Sequence, residues 1–235
     1  MKVFNITGRS VFIILIVSVF SFLLSGCGSK DKVLPQFDSE NYSKHVRITV
    51  KDYGTMEFAL LEGDAPATTE SFISLAENGF FDEKPIYMVI EDFCMIGGVS
   101  GNIEGGIASG DPQDGYYPFR GSLCITETGT DGTVGSFTVI GTTSEFLDNV
   151  NDLLNYRKIT SEEYYKQAYG TDLDDETLDL FRKYGGAPWL YGHCTVFGQM
   201  ISGEDVLDRI MNTPVYDDAG FKPMQDIIIE SVAVY

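Results

Sequence analysis

The chain has 235 residues and carries 35 Asp and Glu against 16 Lys and Arg, a formal charge of −19. So acidic a surface excludes nucleic acid as a partner and excludes adhesion to anionic lipid through a basic face. With two histidines, four cysteines and no C-x-x-C spacing no zinc site is expected, and without a phosphate loop or a G-x-S-x-G elbow no cofactor is expected either.

The N-terminal segment reads as a targeting signal. Lys2 and Arg9 flank or precede an uncharged apolar run over 11–24, about 14 residues, which is too short to span a bilayer comfortably. Leu24-Ser25-Gly26-Cys27 has the lipobox pattern of bacterial lipoproteins. It predicts a signal peptide over 1–26, cleavage before Cys27 and a diacylglycerol thioether on the Cys27 sulfur; an uncleaved membrane helix is the alternative. The expected location is the extracytoplasmic face of a bacterial cell membrane, with lipid on Cys27 as the anchor. Residues 27–44 read as a tether.

Residues 46–52 and 55–62 alternate in character and are joined by Tyr53-Gly54, which predicts a β-hairpin. Pro66, with Thr68 and Thr69 as candidate caps, opens a helix with Phe72, Ile73, Leu75, Ala76 and Phe80 on its apolar stripe and Asn78-Gly79 as its stop. Residues 86–90 and 93–97 read as strands, 98–115 as a glycine-rich loop, and 122–127 and 136–140 as further strands. Phe146, Val150, Leu153 and Leu154, then Tyr164, Tyr165 and Ala168, then Leu178, Phe181 and Tyr184 recur at helical spacing, with Asp174 and Asp175 at a helix start. This marks 145–188 as a helical insertion, either a surface cap or a lid or docking surface. A strand over 195–201, a helix over 204–211 and a strand over 226–234 follow. About eight short strands and two helices outside the insertion predict an all-β sandwich or barrel over 45–235.

Four segments, in order, resemble the cyclophilins, the prolyl cis/trans isomerases. Gly54-Thr-Met-Glu-Phe-Ala-Leu-Leu, running on through Ala65-Pro-Ala-Thr-Thr-Glu-Ser-Phe, resembles the opening hairpin, A-P-x-T turn and first helix. Ile86-Tyr-Met-Val-Ile-Glu-Asp-Phe-Cys-Met-Ile-Gly-Gly98 resembles F-H-R-V-I-x-x-F-M-x-Q-G-G. Gly121-Ser-Leu-Cys with Gly135-Ser-Phe-Thr-Val-Ile resembles G-x-L-S and G-S-Q-F-F-I, and Trp189-Leu-Tyr-Gly-His-Cys-Thr-Val-Phe-Gly198 resembles W-L-D-G-x-H-x-V-F-G. The resemblance implies an eight-stranded antiparallel β-barrel with a helix at each end, interrupted here by the insertion.

The resemblance also implies a groove that favours the twisted X–Pro amide, whose rotation barrier is about 18–20 kcal/mol. Such a groove needs an apolar socket for the proline ring and an arginine donor near the proline nitrogen. Carried over residue by residue, the arginine falls on Met88. The two glutamines fall on Ile96 and Phe137, the socket methionine on Cys94, a further socket residue on Val139, an alanine and an asparagine on Thr126 and Glu127, and the pocket histidine on Cys194. Phe93, Trp189 and Leu190 are retained. The implied function is a peptidyl-prolyl isomerase that assists folding of exported proteins and takes proline-containing peptides. Its activity is expected to be weak or lost for want of the arginine, unless Arg120 or Arg157 reaches the site. The alternatives are a non-catalytic lipoprotein that holds a peptide or protein in the groove, and a structural lipoprotein of an envelope assembly. Cys94 and Cys194 either pair or remain two buried thiols.

Overall fold

The alternation in His45-Val-Arg-Ile-Thr-Val50 sends Val46, Ile48 and Val50 to one face. In the computed structural model, which describes residues 34–110, 115–126 and 133–235, that face is the inside of a closed barrel. Strands β1 (His45–Val50) and β2 (Gly54–Leu60) form the expected hairpin, with Val50 opposite Gly54. Helix α1 (Pro66–Glu77) leads to β3 (Pro85–Ile90) and β4 (Cys94–Gly98). The glycine-rich loop carries a two-residue strand β5 (Ile107–Ala108), and then come β6 (Ser122–Ile125), the short β7 (Thr133–Val134) and β8 (Ser136–Ile140). Three helices fill the segment before the next barrel strand: α2 (Ser144–Arg157), α3 (Ser161–Tyr169) and α4 (Asp175–Tyr184). The chain ends with β9 (Thr195–Ser202), α5 (Glu204–Met211), a ribbon of β10 (Val215–Tyr216) and β11 (Lys222–Pro223), and β12 (Ile227–Val234). Eight strands close in the order β1-β12-β3-β4-β8-β6-β9-β2, and every pairing is antiparallel.

Aromatic rings fill the barrel. Phe72 of α1 is fully buried, with ring centroids 5.3 Å from Phe81, 5.9 Å from Phe137 and 5.1 Å from Phe197. Helix α5 adds Val206, Leu207 and Ile210 to the same core. Pro66 lies in the first turn of α1, where its missing N–H is no loss. The helix therefore starts ahead of Thr68 and Thr69, which are buried inside it and cap nothing.

The helices between β8 and β9 are punctuated by their own side chains. Thr143, Thr160 and Asp174 each accept a hydrogen bond from the backbone N–H three residues on, at 3.1, 3.2 and 2.8 Å. The segment returns to the barrel through Gly185 and Gly186, whose φ values are +72° and +126°. A Cβ there would lie 2.5 Å from the Thr142 and Pro118 carbonyl oxygens respectively, so only glycine fits.

The reading of 27–44 as a tether differs from what residues 35–42 do. They fold back as two short 3-10 turns, Pro35–Phe37 and Ser39–Asn41. Gln36 is 2% exposed, and its side-chain nitrogen meets the Tyr117 carbonyl at 2.8 Å, Ser122 Oγ at 3.0 Å and Gln199 Oε1 at 2.9 Å. Its oxygen accepts from Tyr117 N at 3.0 Å. Beside it, Phe37 packs on Phe119 and Tyr184 at 5.3 and 4.6 Å. A buried amide with all its partners present ties this stretch down as a hydrophobic side chain would. Residues 1–33, including Cys27, lie outside the described residues.

Two stability outcomes follow. Gln36→Ala strips a buried N–H of its acceptor and is expected to cost about 2–3 kcal/mol, seen as a lower urea midpoint at unchanged slope, while exposed Glu40→Ala leaves the midpoint in place; equal midpoints for the two would show that the segment is not docked. Phe72→Ala, at the junction of three rings, is expected to cost about 3–5 kcal/mol in the same titration, and a loss below about 1 kcal/mol would contradict the packing described.

Candidate functional site

The pleat of the barrel decides which residues can meet a ligand. Directly opposed residues of an antiparallel pair share a face. Val89, Met95, Leu123 and Val139 belong to the interior cluster, so their strand neighbours stand outside. Across the outer face one row runs Met88, Ile96, Thr138, Cys124 and Val196, each opposite the next. A second row runs Ile90, Cys94 and Ile140. Ile96, Cys124, Val196, Cys94 and Ile140, with Cys194 and Ala187, belong to a second apolar cluster on which Met88, Ile90, Phe93, Trp189 and Leu190 pack half-buried. The Phe93 and Trp189 rings lie 5.5 Å apart at 59° and wall one side of the groove.

Most of the expected groove residues are thus brought together: Met88, Phe93, Cys94, Ile96, Trp189, Leu190 and Cys194. Phe137 and Val139 are not, and their placement corrects the residue-by-residue match. Phe137 points into the barrel, 5.4 Å from Phe81, and Val139 faces Met95 and Leu123 inside. Side chains alternate along β8, so Phe137 and Val139 share the inner face and their neighbours the outer one. The outer places belong to Thr138 and Ile140. Their signal was in the sequence: Cys94 and Ile96 are two apart, so their partners on β8 must also be two apart and in phase with them. Thr126, half-buried at the end of β6, shares a hydrogen bond with Thr138 through their hydroxyls, at 2.9 Å. Glu127 lies outside the described residues.

The thiols are arranged otherwise than as one pair. Cys94, Cys124 and Cys194 are all free and buried, at 1%, 0% and 6% exposure. Cys194 lies within hydrogen-bonding reach of Cys124, a residue not singled out from the motifs. Burial pushes the Cys94 thiol up to about 12 and raises Cys124 as well, so both stay neutral.

The chemistry open to this surface follows from that inventory. The two rows offer methyl and methylene groups, neutral thiols and one hydroxyl, and no cation stands in either row. Arg120 is engaged elsewhere, donating to the Gly141 carbonyl oxygen and pairing with Asp208. Arg157 ends α2 on an exposed turn. Among the described residues the two rows can offer a ligand apolar surface but no charged side chain.

Comparison with known proteins agrees with this architecture. The profile of the family described as "Cyclophilin type peptidyl-prolyl cis-trans isomerase/CLD" matches residues 45–234. A Staphylococcus aureus protein provisionally named a peptidyl-prolyl cis-trans isomerase is 28% identical over 85% of this chain and 97% of its own length. Its Staphylococcus haemolyticus counterpart, of the same provisional name, is 29% identical over 85% and 96%. A Cryptosporidium parvum cyclophilin type peptidyl-prolyl cis-trans isomerase, solved in the presence of the dipeptide Ala-Pro, superposes with a TM-score of 0.56 over 81% of this chain and 98% of that one, at 17% identity. With a family profile spanning the whole barrel and the barrel itself closed in the matching way, this chain belongs to the cyclophilin-type peptidyl-prolyl cis-trans isomerase family.

Proposed function

We propose that this chain is a lipid-anchored cyclophilin-type isomerase that takes proline-containing segments of exported proteins into its outer-face groove and turns them over far more slowly than an arginine-bearing relative. The observation that carries the reading is Met88, opposite Ile96 in the row where the family places its arginine donor. The half-buried Met88, Phe93, Trp189 and Leu190, packed over the buried Cys94 and Ile140, make an apolar surface that suits a pyrrolidine ring. The Cryptosporidium parvum protein, solved in the presence of Ala-Pro, supports proline as the recognised residue. The lipobox ending at Cys27 supports the anchor and, with it, exported clients.

Catalysis of amide rotation requires the twisted form to be bound better than either planar form. A donor aimed at the proline nitrogen does that by weakening conjugation. Removing one such well-aimed donor from an enzyme costs about 10²–10³ in rate. Apolar contacts to the ring change little as the amide twists, so they bind substrate and transition state alike and give affinity without acceleration.

The full chain in detergent is therefore expected to show kcat/KM at least about 10²-fold below an arginine-bearing cyclophilin assayed beside it on an Ala-Pro peptide. Met88→Arg, at a half-buried site open to water, should raise the rate by about tenfold or more. An unmodified chain as fast as its arginine-bearing relative would overturn the reading, and tight peptide binding with no turnover at all would favour the non-catalytic holder. Separately, cells fed labelled palmitate should label the wild-type chain and not Cys27→Ala; label on the variant would remove the proposed anchor.

A further inference from the structure

We propose that the helical insertion builds a second pocket against the groove, and that this pocket takes the cationic side chain of an arginine or lysine close to the proline of a bound polypeptide. The proposal rests on the groove reading for its ligand and deepens it. A cavity of about 370 Å³ opens between the β3–β4 turn and the helices α2 and α3. Its wall is a chain of touching rings. Phe93 meets Trp189 at 5.5 Å, Trp189 meets Tyr169 at 6.3 Å, and Tyr169 meets Tyr164 and Tyr165 at 5.9 and 6.2 Å. Two carboxylates, Glu91 and Asp92, line the same cavity from the turn and are exposed.

No lysine, arginine or histidine lines the cavity. Among the described residues neither Glu91 nor Asp92 is in an ion pair. Across the turn a neighbouring cavity adds the carboxylate of Glu145, and its one cation, Arg120, is already held by Asp208 and the Gly141 carbonyl. His193 is turned to the Tyr169 carbonyl oxygen at 3.2 Å. Aromatic faces attract a cation through their quadrupoles, and two unpaired carboxylates set the sign of the potential at the mouth. The chemistry thus selects a guanidinium or an ammonium, rejects a carboxylate or phosphate, and ranks a neutral chain between them.

Continuity with the groove identifies the source of that cation. Phe93 and Trp189 are common to both: they pack on the groove cluster and line the aromatic pocket. At about 3.3 Å per extended residue, a side chain entering this pocket belongs to a residue about one to three positions from the proline. Preference for a basic neighbour of proline then joins two carboxylates of the β3–β4 turn to rings that the insertion supplies.

Trp189 is the sole tryptophan, so its fluorescence reports on the pocket directly. The full chain in detergent is titrated with short blocked Ala-Pro peptides carrying arginine, norleucine or glutamate beside that pair, and with the arginine peptide in which alanine replaces proline. The arginine peptide is expected to bind about tenfold more tightly than the norleucine one, and the glutamate peptide more weakly still. That preference should vanish in the Glu91→Gln, Asp92→Asn double variant and in Tyr169→Leu, and survive in Tyr169→Phe; the substituted positions are exposed, and urea midpoints check that each variant is folded. Equal binding of arginine and norleucine peptides, with proline still required, overturns the second pocket and leaves the groove reading standing. Arginine preference that persists in both disabling variants also overturns it. Arginine preference without any need for proline upholds the pocket and sinks the groove reading.

Discussion

Closure of the sheet is the constraint on which everything else depends. Each barrel strand is hydrogen-bonded on both sides, so no edge is left for a ligand to extend. A side chain either enters the ring-filled interior or stands outside. The interior is committed to Phe72, Phe81, Phe137 and Phe197. The outer face is then the only place where the strands can present a surface, and its composition follows from the pleat. Met88, Ile96, Thr138, Cys124 and Val196 are neighbours because of register, whatever their chemistry.

Among the described residues neither row of that surface carries a charged side chain. A thiol pushed up to about 12 by burial, as at Cys94, is neither a nucleophile nor a charge at neutral pH. Beside it the floor is aliphatic, and its one hydroxyl, on Thr138, is bound to Thr126. Affinity for an apolar ring and stabilisation of a developing dipole are separate properties, and the proposed groove offers the first. The carboxylates of the β3–β4 turn stand beyond Phe93 and Trp189, in the pocket proposed to read the residue beside proline.

What could be read from the sequence was local. The hairpin, α5 and the three helices before β9 all rest on periodicity and turn residues within a few positions of one another, and Asp174 caps α4 as its place in the pattern implies. The four motifs placed most of the groove. They failed at Phe137 and Val139, which the alternation along β8 turns to the inner face. Gln36 was illegible for another reason. Its partners are 81, 86 and 163 residues away, and no local pattern distinguishes an amide that finds three of them from one that finds water. Cys124 was missed in the same way, since its approach to Cys194 exists only once β6 and β9 are paired.

In the proposed complex, proline sits on an apolar floor with no cation beside its nitrogen. A crystal structure of this chain with an Ala-Pro peptide tests it most directly. The pyrrolidine ring should lie against Phe93, Trp189 and Leu190, with the Met88 side chain beside the imide and no guanidinium within hydrogen-bonding distance of the proline nitrogen. Arg120 freed from Asp208 and turned onto that nitrogen, or the peptide bound away from Met88, would contradict it.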